Sequence, residues 1–269
     1  MTAPLLTLND GHPLPWIGFG TYPLRGSAGH IAVRAALDTG FRLLDAAANY
    51  RNEVEVGRAV REFLTATRIP RDEVFVQTKV PGGRHDYDDA IEACDDSLAL
   101  LGLDRIDVIV LHSPDPATEA YRDAWRALVD LRAKGVVRSL GVSNVTAQQL
   151  ATIVADSGVV PAIGQVNMDP YSQQHPMRSE FARLGIVTQS WGPLASAVPA
   201  LAEPAVTGAA AAHGVTPAQV VLRWHLQQGV VPLPMSPDFA RQREFLDVFG
   251  FELTDAEVAG ISALGRDVP

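Results

Sequence analysis

The stretch "GFGTYPLRG", residues 18–26, decides between two folds. It opens like G-x-G-x-x-G, the turn after the first strand of an open doubly wound sheet, where the third glycine allows close helix–strand packing. Pro23 stands where that third glycine should fall, so the fingerprint fails. Upstream, "LLTL" (residues 5–8) and "PLPWIG" (residues 13–18) flank Asp10-Gly11, a strong turn dipeptide, and predict a short hairpin. Downstream a rhythm sets in. β-rich runs fall at Trp16–Phe19, Phe41–Leu44, Val74–Thr78, Ile106–Leu111, Val137–Val142, Ala162–Val166, Ile186–Gln189 and Val230–Leu233. Helical periodicity fills most of the gaps, as at Asp86–Leu101, Ala117–Ala133, Thr146–Asp156 and Thr216–Gln228. Alternating strands and helices imply parallel βαβ units. With the open-sheet fingerprint missing and no linker in sight, the reading is an α/β chain forming one (β/α)8 TIM barrel with a short N-terminal β-hairpin, a single domain over residues 1–269.

A net charge of −9 without any basic stripe argues against nucleic acid as a partner. The chain carries one cysteine, Cys94, so an internal disulfide is impossible; it shares a helical stripe with Ile91, Leu98 and Leu101 and reads as core. No apolar run reaches the roughly 18 residues of a membrane span. The N-terminus lacks the basic start and apolar segment of a signal peptide, so the expected location is cytoplasmic.

Barrel chemistry gathers at the C-terminal ends of the strands. In order, the runs are followed by Gly20-Thr21-Tyr22, by Asp45 with Tyr50 shortly after, by Lys79, by His112, by Ser143-Asn144, by Gln165, by Ser190-Trp191-Gly192, and by Ser236 with Arg241 beyond. Taken singly, each has an ordinary structural reading: an ion pair at a barrel mouth, a core histidine, a packing tyrosine. Taken together, four titratable types at neighbouring strand ends point to a functional site. The expected logic is that Asp45 keeps Lys79 charged, Lys79 lowers the pKa of the Tyr50 phenol, and Tyr50 donates a proton while His112 orients the acceptor oxygen. The seven histidines form neither H-x-H nor H-x-x-x-H, which speaks against a metal hydrolase. "GVSNV" lacks the closing glycine of a nucleophile elbow.

The motifs "GFRLLDAAANY", "LHSP", "GVSN" and "SWGPL", with the C-terminal "FLDVFGFELTDAEVAGISAL", resemble the aldo-keto reductase superfamily over nearly the whole chain. "SWGPLA" and "AAAAHGVTPAQVVLRW" are similar to the 2,5-diketo-gluconate reductases among its bacterial members. The resemblance implies an NAD(P)H-dependent oxidoreductase that reduces aldehyde or ketone carbonyls to alcohols, with a catalytic tetrad at Asp45, Tyr50, Lys79 and His112. It implies that Ser143, Asn144 and Gln165 hold the nicotinamide carboxamide, that Trp191 stacks on its ring, and that Leu194 and Ser196 approach the pyrophosphate. Ser236, Arg241 and Glu244 fall where the family binds the adenosine end. Gly20, Thr21 and Gly192 are expected beside the cofactor, and Tyr22 and Ser113 beside the substrate with Tyr50 and His112.

The departures carry their own expectations. Met235 replaces the lysine that usually meets the 2′-phosphate, so NADPH is expected as cofactor with NADH also accepted. Phe245 replaces an asparagine, Ser113 a tryptophan, and Pro81-Gly82-Gly83 an aromatic residue. The expected partner is a small-molecule carbonyl compound, with no nucleic acid and no membrane, and the expected state is a monomer. Two rival readings stay open: a cofactor-binding regulatory barrel with little turnover, and an aldolase-type barrel with Lys79 as a Schiff base.

Overall fold

A computed structural model of the chain describes residues 2–115, 117–194 and 199–266. The predicted hairpin is present as β1 (Leu5–Thr7) and β2 (Pro13–Pro15), paired antiparallel, with Gly11 turning at φ 86°. Eight parallel strands then form one sheet: β3 (Phe19–Gly20), β4 (Leu43–Asp45), β5 (Phe75–Val80), β6 (Ile106–His112), β7 (Val137–Ser143), β8 (Ile163–Asn167), β9 (Val187–Trp191) and β10 (Val230–Leu233). Between them run α1 (Gly26–Thr39), α2 (Glu53–Thr67), α3 (Tyr87–Leu101), α4 (Ala120–Ala133), α5 (Ala147–Ser157) and α6 (His175–Arg183). The pair α7 (Pro204–His213) and α8 (Pro217–Gln227) links β9 to β10, and α9 (Phe239–Leu246) and α10 (Asp255–Ser262) follow.

The two glycines of the opening stretch have a different task from the one their spacing suggested. Gly18 N–H donates to Pro232 O at 3.1 Å and Gly20 N–H to Pro234 O at 3.0 Å, joining the first barrel strand to the last. A Cβ on Gly20 would lie 2.9 Å from the Leu233 carbonyl oxygen, and one on Gly18 2.5 Å from the Leu233 side chain. Small residues here let the sheet close.

Most strands run further than the sequence suggests. The sequence reading ends β4, β5, β6 and β7 just before Asp45, Lys79, His112 and Ser143, yet all four lie inside strands. The parallel ladder ignores side-chain polarity, pairing Lys79 with Val110 and His112 with Ser143. The helix expected from Ala117 starts at Ala120, because Asp115 Oδ1 accepts from Ala117 N–H at 2.8 Å and holds a turn there. Thr146 and Thr216 cap α5 and α8 through reciprocal bonds with Gln149 and Gln219. Asp86 stands at the N-cap position of α3 without a side-chain cap bond.

Two apolar cores result. The larger fills the space between barrel wall and helices; it includes Cys94, whose burial pushes the thiol up to about 12. The smaller lies inside the barrel, where Phe75, Val108, Val110, Ile163 and Val231 pack with Leu8 and Leu14 from the hairpin region. The hairpin thus plugs the N-terminal end of the barrel, leaving the other end for a site. No helix among the described residues is long and apolar enough to cross a membrane.

Helix α2 meets the end of α3 at Gly57, where a Cβ would fall 1.8 Å from the Leu101 carbonyl oxygen. Gly208, exposed in the middle of α7, would place a Cβ in open space. Gly57→Ala is therefore expected to lower stability by at least about 2 kcal/mol, since backbone must move. Gly208→Ala is expected to raise it by about 0.5–1 kcal/mol, since only chain entropy changes. Urea unfolding midpoints of the two variants check the pair; the same sign for both would contradict the packing described.

Candidate active site

At the C-terminal end of the barrel, β4 and β5 project Asp45 and Lys79 into the interior. Lys79 is fully buried, and its Nζ donates to Asp45 Oδ1 at 2.6 Å, Ala46 O at 2.9 Å and Tyr50 Oη at 3.2 Å. These three acceptors match the three donors of an ammonium. Burial draws the lysine pKa below its ordinary value, and the Asp45 carboxylate opposes that pull. With every N–H engaged and no exposed surface, Lys79 is no candidate for attack on a substrate carbonyl.

Tyr50 ends a short 3-10 turn, Ala48–Tyr50, after which Arg51 adopts left-handed backbone at φ 53°. Arg25 Nε secures this turn by donating to Tyr50 O at 2.7 Å. The expected lowering of the phenol pKa is not what the geometry produces. Burial, then the Asp45 charge, then Tyr22 raise it above the ordinary tyrosine value, outweighing the neighbouring ammonium. The Tyr50 hydroxyl therefore keeps its proton throughout the neutral range.

His112 closes β6, its ring 6.3 Å from that of Tyr50 and perpendicular to it. Burial, with the Lys79 charge next, lowers its pKa to about 4, against the opposing pull of Asp45. The imidazole is neutral at physiological pH.

Sequence reasoning missed the support beneath this group. Asp45 Oδ1 also accepts from Gln77 Nε2 at 2.7 Å and from Gln165 Nε2 at 3.3 Å. Gln77 and Gln189 exchange bonds at 3.0 and 3.1 Å, and Gln165 donates to Gln189 Oε1 at 3.1 Å. Three buried amides thus form a floor under the carboxylate. Asn52 was also missed: its Nδ2 donates to Thr21 O at 2.9 Å, while Thr21 Oγ1 donates to Asp45 O at 2.9 Å.

Above the floor opens a cavity of about 780 Å³. Its wall contains the expected Gly20, Thr21, Tyr22, Asp45, Tyr50, His112, Ser143, Asn144, Gln165, Trp191, Gly192, Leu194 and Arg241. It also contains Pro193, Leu201, Leu233, Pro234, Met235 and Phe245, apolar residues that gave no chemical signal in the sequence beyond the departures at 235 and 245. Lys79 lies behind the wall rather than on it.

Three expected contacts fall elsewhere. Ser236 is buried, with Oγ accepting from Asp238 N–H at 3.1 Å, so it shapes the turn before α9. Glu244 is off the wall because its Oε1 accepts from Thr216 Oγ1 at 2.6 Å. Ser113 is off the wall too, turned toward Asn144. Ser196 lies outside the described residues.

The residues present suit a dinucleotide with a nicotinamide carboxamide. Ser143 Oγ is buried and has no partner among the described residues, so a donor or acceptor is wanted there. Asn144 and Gln165 stand on the same wall. Arg241, exposed on α9 with its guanidinium 5.3 Å from the Phe245 ring centroid, has no carboxylate partner among the described residues and is free to meet an anion. Among the described residues no cluster of His, Cys, Asp or Glu is built to hold a metal ion.

Comparison with known proteins agrees with this geometry. Residues 17–266 match the model of the aldo/keto reductase family. The chain is 48% identical over 263 residues to 2,5-diketo-D-gluconic acid reductase B of Corynebacterium sp. (strain SHS752001), covering 98% of this chain and 94% of that protein. It is 36% identical to morphine 6-dehydrogenase of Pseudomonas putida, over 99% and 93% of the two chains. Among solved structures, an aldo-keto reductase of Bombyx mori in complex with NADP superposes with a TM-score of 0.93 at 31% identity, covering 99% of this chain and 94% of that one. With the fold and these likenesses in agreement, the chain belongs to the aldo/keto reductase family of NAD(P)H-dependent oxidoreductases.

Proposed function

We propose that the protein reduces aldehyde and ketone carbonyls to alcohols with NADPH, Tyr50 giving the proton, and that it also accepts NADH. One observation carries this reading: a protonated phenol faces the cavity with its oxygen 3.2 Å from a fully buried ammonium. The NADP bound to the Bombyx mori relative supports the cofactor, and the name of the Corynebacterium relative supports carbonyl reduction. When bound, the dihydronicotinamide ring supplies the hydride.

The chain's residues do the rest. Ser143, Asn144 and Gln165 offer the mixed donors and acceptors that a carboxamide requires, and Trp191 offers a ring face. A carbonyl oxygen between Tyr50 and His112 receives hydrogen bonds from the phenol and from a neutral imidazole, which polarises it without losing a proton. As negative charge builds on that oxygen, the phenol proton moves to it. The phenolate left behind faces the Lys79 ammonium, held by Asp45. The lysine thus acts on the charge that develops, not on the resting phenol.

Tyr50→Phe keeps the ring and removes the proton. Turnover is expected to fall by at least about a hundredfold, with NADPH affinity nearly unchanged. A variant that retains most of its activity removes Tyr50 from the role.

The pH profile follows from the same pKa directions. The imidazole becomes charged only toward about 4, and the phenol loses its proton only above the ordinary tyrosine value. The reductive kcat/KM is therefore expected to stay level from about pH 5 to about pH 9. A break near the ordinary imidazole value, or a fall beginning near neutrality, contradicts these environments.

Cofactor choice rests on Arg241 and Met235, which share the cavity wall. Arg241 can grip a 2′-phosphate with two bonds; Met235 brings neither charge nor N–H. One charge-assisted bond is worth roughly 1.5–3 kcal/mol, or about 10- to 150-fold. Measurable NADH activity is expected, and Met235→Lys should widen the NADPH preference by about tenfold or more. Wild-type discrimination above about a thousandfold, left unmoved by Met235→Lys, would overturn this assignment.

A further inference from the structure

At the ends of β6 and β7 the chain performs the same manoeuvre twice. Ser113 N–H donates to Ser143 O at 3.0 Å and Asn144 N–H to Gln165 O at 3.0 Å, extending the ladder one residue beyond each strand. Both residues then turn into left-handed backbone, Ser113 at φ 47° and Asn144 at φ 54°. Asparagine adopts that conformation readily; serine does so at a cost, and such residues gather at functional sites.

The two side chains meet. Trp191 Nε1 is a donor only, so the Asn144 oxygen it contacts at 3.0 Å is Oδ1. The amide nitrogen therefore faces the other way, where Nδ2 donates to Ser113 Oγ at 2.9 Å. The Asn144 amide is bracketed, its orientation set by an indole on one side and a hydroxyl on the other. One Nδ2 hydrogen is engaged by Ser113, and the second remains for a ligand in the cavity. Asn144 and Trp191 line that cavity, and Ser113 does not.

We propose that Ser113 is a cofactor-positioning residue: its hydroxyl orients the Asn144 amide, and through it the Trp191 indole, for the nicotinamide end of the cofactor. This rests on the assignment of Asn144 to the nicotinamide carboxamide. It removes Ser113 from the substrate wall, where its place after His112 suggests it should stand.

The test measures dissociation constants by fluorescence titration for NADPH and for 2′-phospho-ADP-ribose, which lacks nicotinamide. Wild type is compared with Ser113→Ala and Ser113→Gly. Glycine adopts the left-handed backbone without strain, so an effect shared by both variants belongs to the hydroxyl. Loss of one hydrogen bond is expected to raise the NADPH constant about threefold to tenfold in both. The 2′-phospho-ADP-ribose constant, and the carbonyl KM at saturating NADPH, should stay within about twofold of wild type. An NADPH constant that rises less than threefold overturns the proposal. So does an equal loss for both ligands, which would mean a general disturbance, or a raised carbonyl KM with unchanged NADPH binding, which would return Ser113 to the substrate. Failure of wild type to bind NADPH would instead defeat the proposed function itself.

Discussion

An ammonium and a carboxylate 2.6 Å apart inside a barrel are the constraint around which this site is built. Bringing two charges out of water costs several kcal/mol each, and only good geometry with further hydrogen bonds offsets it. Both ions here have such partners. Lys79 has Ala46 O and Tyr50 Oη, and Asp45 has two glutamine amides. Removing either ion strands the other, a change that typically destabilises by about 3–5 kcal/mol. The ion pair at the barrel mouth and part of the barrel interior are thus one object, and the same bonds that hold the charge hold the phenol in register with it.

Much of this was readable in the sequence, and the reason is specific. Asp45, Lys79 and His112 are ionisable side chains that interrupt apolar runs, and the parallel alternation brings such interruptions to one end of a barrel. Gln77 and Gln189 could not be read the same way. An uncharged amide in the middle of a β-rich run breaks no pattern, and its inward direction follows only from strand register. Leu233, Pro234 and Met235 prolong an apolar run, so nothing marked that stretch as a cavity wall apart from the departure at 235. Glu244 and Ser236 stand off that wall for the opposite reason: their polarity was noticed, but each is bound to a neighbour in the fold.

The direction of the phenol pKa is the instructive error. Chemistry taken pairwise says that an ammonium acidifies a nearby phenol. In the folded chain the phenol is also buried and lies near the Asp45 carboxylate, and both raise its pKa. Desolvation then outweighs attraction. Similarly, "GFG" opens with the spacing of a dinucleotide turn that Pro23 rules out, and the structure gives its glycines another task, letting β3 approach β10 at the seam of the sheet. In both cases the residues were identified and their surroundings decided the outcome.

The amide floor also determines where protons travel. Gln77, Gln165 and Gln189 carry no ionisable proton, and each amide is oriented by its neighbours. Below them lies the apolar plug of Phe75, Val108, Val110 and the hairpin leucines. No titratable relay leads from Asp45 down the barrel axis through these side chains. The floor is a proton insulator. In the mechanism proposed above, the proton that Tyr50 gives up is not returned through this floor. On that proposal, recharging Tyr50 falls to the cavity side, where its side chain lines the mouth, so solvent contact and product departure would belong to the same event in each cycle.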